Sequence, residues 1–146
     1  MVKSKVEVLL TISEVNLRRA EKRFSDGEYD SAVFHASIAI ESAANALILA
    51  LGGDEAKNHR AISGLAAVVR RIKPQWSMER SFVELIDRGR EIQREVVYTR
   101  YPLKVAGDWM TPMEYYTRDK ARKIINSAKF AVNTTKEYIK RTTMKT

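Results

Sequence analysis

Apolar residues recur along this chain at steps of three and four and almost never at steps of two, the periodicity of helices that bury one face. In a first helix, about residues 2 to 25, Val6, Leu10, Leu17, Ala20 and Phe24 form one stripe, with Lys5, Arg19, Lys22 and Arg23 elsewhere around it. Ser25-Asp26-Gly27 ends it, because Gly27 readily takes the left-handed conformation that follows a helix. In a second helix, about 29 to 51, Ala32, Ala36, Ala39, Ala43, Ala46 and Ala50 recur at steps of 4, 3, 4, 3 and 4. That seam of small side chains allows close, nearly parallel helix packing, so this helix is expected to be the most buried. Gly52-Gly53 closes it. A shorter third helix, about 60 to 72, carries Ile62, Leu65, Val69 and Ile72, and Pro74 blocks its continuation. The fourth starts after Ser77 and places Phe82, Leu85, Gly89, Ile92 and Val96 on one stripe. It ends near Thr99 or Arg100, because Pro102 disfavours a helical Tyr101. A last helix runs from a Thr117 cap to about Arg141, with Asp119 in its first turn and Lys140-Arg141 in its last, as the helix dipole prefers. The stretch before it, with Gly107, Trp109 and Pro112, reads as a loop. The pattern predicts an all-α fold: one domain over residues 1–146, an antiparallel up-and-down bundle of four long helices plus one short accessory helix.

Charge adds an asymmetry that hydropathy does not show. Residues 1–58 hold 7 basic and 9 acidic side chains, residues 59–112 hold 10 and 6, and residues 113–146 hold 9 and 3, so the excess of +8 lies in the second half. Such a field attracts phosphates, on a nucleotide, on RNA or DNA, or on an acidic partner, and it is equally the field of a solubilising surface. With no cysteine and only His35 and His59, neither a thiolate nucleophile nor a sulfur-based zinc site is available, and no metal or cofactor is expected. The longest apolar run, Ala43 to Leu51, contains Asn45 and falls short of the roughly 20 residues of a bilayer crossing. The first residues offer no signal-peptide cleavage site, so a cytoplasmic protein without membrane contact is expected. No phosphate-cradling glycine loop and no nucleophile elbow occurs, and the pattern offers no sheet on which a nucleotidyltransferase could mount paired carboxylates.

One stretch departs from helical patterning: Tyr98-Thr99-Arg100-Tyr101-Pro102 at the exit of the fourth helix. Arg100 can grip a phosphate or carboxylate bidentately between stacking tyrosine faces, or it can cap the last carbonyls of the helix while Tyr98 and Tyr101 pack inward. On the last helix, Arg118, Arg122, Lys129, Lys136 and Lys140 advance by 4, 7, 7 and 4 residues, inside a strip roughly 40° wide. Ala121, Ile124, Ala128, Ala131 and Thr135 form a different face. The strip is either a track for nucleic-acid phosphates or a solvated face.

Together, Glu28-Tyr29-Asp30-Ser31-Ala32-Val33-Phe34-His35-Ala36, Glu41-Ser42-Ala43-Ala44-Asn45-Ala46-Leu47, Asn58-His59, Thr99-Arg100-Tyr101-Pro102 and Tyr115-Tyr116-Thr117 resemble the HEPN (higher eukaryotes and prokaryotes nucleotide-binding) domain family, over roughly residues 10 to 140. The resemblance implies a helical bundle, a homodimer and a nucleotidyltransferase partner, in places a toxin–antitoxin-like pair. It also implies a groove between helices for an ATP-like nucleotide, to which Arg100, Tyr101, Tyr98, Glu41, Asn45 and His35 are assigned. Where many relatives carry a lysine one turn after the glutamate, this chain has Asn45. His35 and His59 each have an alternative role, as a satisfied polar residue of a buried helix and as a helix-starting residue. HEPN ribonucleases use an arginine followed, after four to six residues, by histidine; counting from Arg100 the positions are Val105, Ala106 and Gly107. The resemblance therefore implies a non-catalytic accessory protein. The rivals are a ribonuclease toxin with another base, and a nonspecific RNA- or DNA-binding protein using the basic strip.

Overall fold

The computed structural model of the chain describes residues 3–72, 78–95, 99 and 101–144. Its elements are α1 (Lys5–Ser25), α2 (Tyr29–Ala50), α3 (Ala61–Ile72), α4 (Glu79–Glu95), β1 (Leu103–Val105), β2 (Asp108–Met110), α5 (Pro112–Tyr115) and α6 (Arg118–Met144). The fold is all-α, as the periodicity predicts. The expected stop at Pro74, the Ser77 cap, Val96 and the Arg100 end of the fourth helix lie outside the described residues.

Long-range contacts set the direction of each long helix. His35 on α2 meets Asn16 on α1, and Lys5 near the start of α1 pairs with Glu55 just beyond α2, so these two run antiparallel. Phe82 at the start of α4 stacks edge-on against Tyr138 near the end of α6, ring centroids 5.5 Å apart, while the Tyr116 hydroxyl before α6 donates to the Glu95 carbonyl at 2.6 Å. Each pair holds one end of α4 against the opposite end of α6. The result is an up-and-down bundle of α1, α2, α4 and α6, with α3 and α5 as short accessories.

The alanine seam lies at the centre of the bundle. Ala32, Ala36, Ala39, Ala43 and Ala46 are fully buried, and Ala121, Ala128 and Ala131 of α6 are equally inaccessible. Because these side chains are small, the Thr135 hydroxyl of α6 reaches the Ala43 carbonyl of α2 at 3.3 Å inside the core. α2 touches every other helix of the bundle. By length and composition it is the one described helix able to cross a membrane, with mean hydropathy 1.5, yet 67% of that window is buried inside the bundle, as in a core helix.

Two expectations need correction. On α1, Ala20 and Phe24 are buried, but Val6, Leu10 and Leu17 are only half-buried, and Ser13 and Asn16 take the inward positions. Their polar groups are satisfied locally, by the carbonyls of Leu10 and Ile12, which makes burial of polar residues inexpensive there. The predicted loop at 101–112 instead contains an antiparallel hairpin with Lys104 opposite Trp109 and Val105 opposite Asp108. Ala106 and Gly107 form its two-residue turn at φ 51° and 90°, the left-handed pair that matches strand twist. Strands of three residues are too short to display a period of two. Thr111 and Glu114 then form a reciprocal capping box that starts α5 behind Pro112 and holds the Glu114 carboxyl below the usual carboxylate range.

Gly89 sets the spacing between α3 and α4, since a Cβ there would lie 2.3 Å from Ile62 Cδ1 and 2.7 Å from its Cγ1. Gly89→Ala is expected to lower stability by about 1–3 kcal/mol through overpacking, despite the higher helix propensity of alanine. Urea denaturation checks it; an unchanged or raised midpoint would show that Ile62 moves aside freely.

Candidate functional site

The C-terminal half of α4 separates two cavities, and Ile92 lines both. On the α6 side, a groove of about 290 Å³ is bounded by Glu91, Ile92, Arg94, Glu95, Lys120, Lys123, Ile124 and Ser127. Lys120 and Lys123 come from the first turns of α6, which Tyr116 fastens to Glu95. Lys120 sits 3.8 Å above the Tyr115 ring, with its ammonium within 3.5 Å of the Tyr115 carbonyl. Arg94 and Lys123 form no ion pair among the described residues. Three cations against two carboxylates make an anion-seeking groove.

On the α2 side, a cavity of about 270 Å³ is lined by Ser37, Ile40, Glu41, His59, Ile92 and Gln93. Glu41 Oε2 lies 2.9 Å from His59 Nδ1, and Gln93 Nε2 donates to the His59 carbonyl at 3.1 Å. Both Asn58 and His59 are left-handed, at φ 58° and 60°. That conformation costs a non-glycine residue about 1–2 kcal/mol, so surrounding contacts must hold it. Gln93 and Glu41 supply two of them from different helices.

The residues assigned from the sequence separate into distinct places. Glu41 lines the second cavity. Asn45, one turn on, is buried and accepts the Ala56 backbone N–H at 3.0 Å, so its carboxamide ties the 52–60 loop to α2. His35 lies six residues before Glu41, about 120° around the helix, and its Nδ1 meets Asn16 Oδ1 at 3.0 Å on the α1 side. Burial, with Arg19 and Arg23 nearby, lowers the His35 pKa from its usual value. Tyr101 is exposed. Arg100 and Tyr98 lie outside the described residues.

The basic strip runs along the α1–α6 seam, turned toward α1. Glu21 is reached by Lys129 at 2.6 Å and by Arg122 at 3.4 Å, and Glu14 pairs with Lys136 at 3.1 Å. Arg118 and Arg122 also lie over the Phe24 ring, at 5.3 and 4.0 Å from its centroid. Lys140 lines a shallow groove with Leu10 and Ile139. From the sequence the strip reads as clear of the core, because the acidic residues that meet it stand about a hundred positions or more earlier. Sequence reasoning misses Lys120, Lys123 and Gln93; the three-residue step of the two lysines at the start of the last helix is the available signal, and Gln93 has none.

His35 yields a pH dependence. The unfolded histidine binds a proton near pH 6.5 and the folded one only at lower pH, so below pH 6.5 the unfolded state holds more protons. Its contribution to stability is therefore complete above that pH and is lost as pH falls toward the folded pKa. Chemical denaturation from pH 7 to 5.5 should show a smaller loss for His35→Gln than for the wild type; parallel curves would contradict the assignment.

Comparison with known proteins agrees with this architecture. The HEPN domain model matches residues 6–138. A protein of Methanocaldococcus jannaschii described as "Putative toxin MJ1304" is 24% identical over 128 residues, 88% of this chain and 84% of that one. Among solved structures, TT1696 from Thermus thermophilus superposes with TM-score 0.74 at 24% identity, covering 93% of this chain and 99% of that one. ST0689, described as an archaeal HEPN homologue, gives 0.67 at 21%, covering 92% and 98%.

Proposed function

The chain belongs to the HEPN domain family, and on that premise we propose that it is a non-catalytic accessory member that binds a nucleotide or nucleotide-like phosphate where α4 ends. The observation that carries this reading is the groove between α4 and α6, lined by Arg94, Lys120 and Lys123. Guanidinium and ammonium groups carried on two packed helices can close on phosphate oxygens, at the cost of ordering the Arg94 and Lys123 side chains. Tyr101, 60% exposed next to Arg100, offers a face for a base. The family resemblance supports a separate nucleotidyltransferase chain and a second copy of this chain as partners. The non-catalytic role is supported by the sequence, in which no arginine stands four to six residues before a histidine.

A second reading, a ribonuclease toxin with a different base, is favoured by the description of the Methanocaldococcus relative as a toxin. Both readings fit a toxin–antitoxin-like pair. Binding of RNA or DNA along α6 has less support, since Glu14 and Glu21 neutralise the middle of the strip.

Calorimetric titration with ATP and with inorganic phosphate near physiological salt tests the site. Saturable heat is expected for the wild type, lost in Arg100→Ala and weakened about tenfold or more in the double variant Lys120→Ala/Lys123→Ala. Unchanged affinity in both variants would remove the assignment. Labelled RNA should survive an excess of protein; cleavage would replace the accessory reading with the toxin one.

A further inference from the structure

α1 carries its polar and apolar residues in places that the isolated chain does not explain. Ser13 and Asn16 take inward positions, whereas Val8 and Ile12 are 41% and 39% exposed and Val15 is only half-buried. Steps of four and three keep these three apolar residues on one stripe. α2 repeats the mismatch. Only Asp30 and Glu41 are formally charged among its 22 residues, and its apolar window, of mean hydropathy 1.5, is 67% buried and leaves the remainder outside. Phe34 and Ile38, turned away from the alanine seam, are half-buried. A helix that is apolar all round belongs where neighbours cover every side.

The two uncovered stripes form one surface. Asn16 meets His35 across the α1–α2 seam at 3.0 Å. From that pair Ile12 lies four residues along α1 and Ile38 three residues along the antiparallel α2, in the same direction, so the two isoleucines stand at one height to within roughly 2 Å. α1 and α2, 21 and 22 residues long, present an outline of roughly 30 Å by 20 Å, on the order of 600 Å². Counted on two molecules, this reaches the roughly 1,200 Å² at which specific interfaces begin. Charge on the surface is polarised end to end. Arg19 stands seven residues from Ile12 toward one end; Lys5, seven residues toward the other, pairs with Glu55, next to Asp54. Neither Arg19 nor Asp54 forms an ion pair among the described residues. A face with a cation at one end and acids at the other fits a copy of itself turned end to end, and sets like against like when the copy runs in the same direction.

We infer that the outer face of α1 and α2 is the docking surface for a second copy of this chain, packed about a two-fold axis that crosses both helices at the height of Ile12 and Ile38. The two copies of Ile12 meet at the axis, as do the two of Ile38, and Arg19 of each copy faces the Asp54–Glu55 end of the other. Val8 and Val15 then have a neighbour, and the apolar side of α2 is covered. The homodimer that the family resemblance suggests thereby acquires a surface, separate from the groove between α4 and α6.

The test is sedimentation velocity of the full chain near physiological salt, from about 1 to about 100 µM. A dimer is expected for the wild type. Ile12→Glu and Ile38→Glu should each weaken it about tenfold or more, and Arg19→Glu by a smaller factor that shrinks in high salt. Val83→Glu, at a comparably exposed position on α4, should leave it unchanged. Because the chain has no cysteine, Ile12→Cys alone should give a disulfide-linked dimer under mild oxidation, since the axis brings the two copies of that position together. A monomer at the highest concentration would overturn the proposal, as would a dimer indifferent to Ile12→Glu and Ile38→Glu, or one that fails to cross-link through Ile12→Cys. So would a dimer lost instead on Trp109→Ser/Met113→Ser, the two most exposed apolar positions beside the hairpin. Circular-dichroism melts matching the wild type ensure that lost association is not lost folding. ATP titrated into the Ile12→Glu variant reads the groove between α4 and α6 separately, so failure of this interface and failure of the phosphate site are distinguishable.

Discussion

Close approach of α6 to α2 is the constraint on which the rest of the structure depends. It exists because alanine fills the shared interface from both sides, and its signature is a threonine hydroxyl of one helix on a backbone carbonyl of the other. Larger side chains would push α6 outward, and α1 and α4, which bridge the two, would lose their seats. Interiors pack at near-crystalline density, so a shift at the seam cannot be absorbed locally. With α2 central and in contact with every other helix, residues only a few positions apart on it serve different neighbours. His35 faces α1, Glu41 faces the cavity beside α4, and Asn45 supports a loop.

α4 separates two cavities with different linings. One flank collects cations from α4 and α6; the other collects Ser37 and Glu41 of α2, Gln93 of α4 and His59 of the 52–60 loop. The division follows from register alone. Successive residues on a helix point 100° apart, so Gln93 and Arg94 turn to opposite cavities while Ile92 forms the wall between them.

The basic α6 strip shows why charge periodicity is an ambiguous signal. Evenly spaced cations arise whenever a helix meets an acidic neighbour along its length, and here Glu14 and Glu21 of α1 provide that neighbour. Partly exposed pairs of this kind contribute little to stability, but they align the two helices and lower the positive field available to a polyanion.

The four long helices, the short third one, their approximate boundaries, the alanine seam and the all-α class were legible in the sequence because they depend on local spacing and on side-chain volume, which travel with the residue; the four-residue α5 was not. So was the family, through the order of its short motifs. Other features depended on residues far apart in the chain. The hairpin rests on a two-residue turn between strands too short to carry a period. The role of Asn45 depends on a backbone amide eleven positions away, and the polarity of the Glu41 cavity on a histidine eighteen positions from its carboxylate and a glutamine thirty-four beyond that histidine. The sequence by itself determined where the long helices lie and that the alanine face of α2 is buried. Only the tertiary structure decided which polar groups meet, because a side chain's free donors and acceptors are defined by partners that the chain brings together only when it closes.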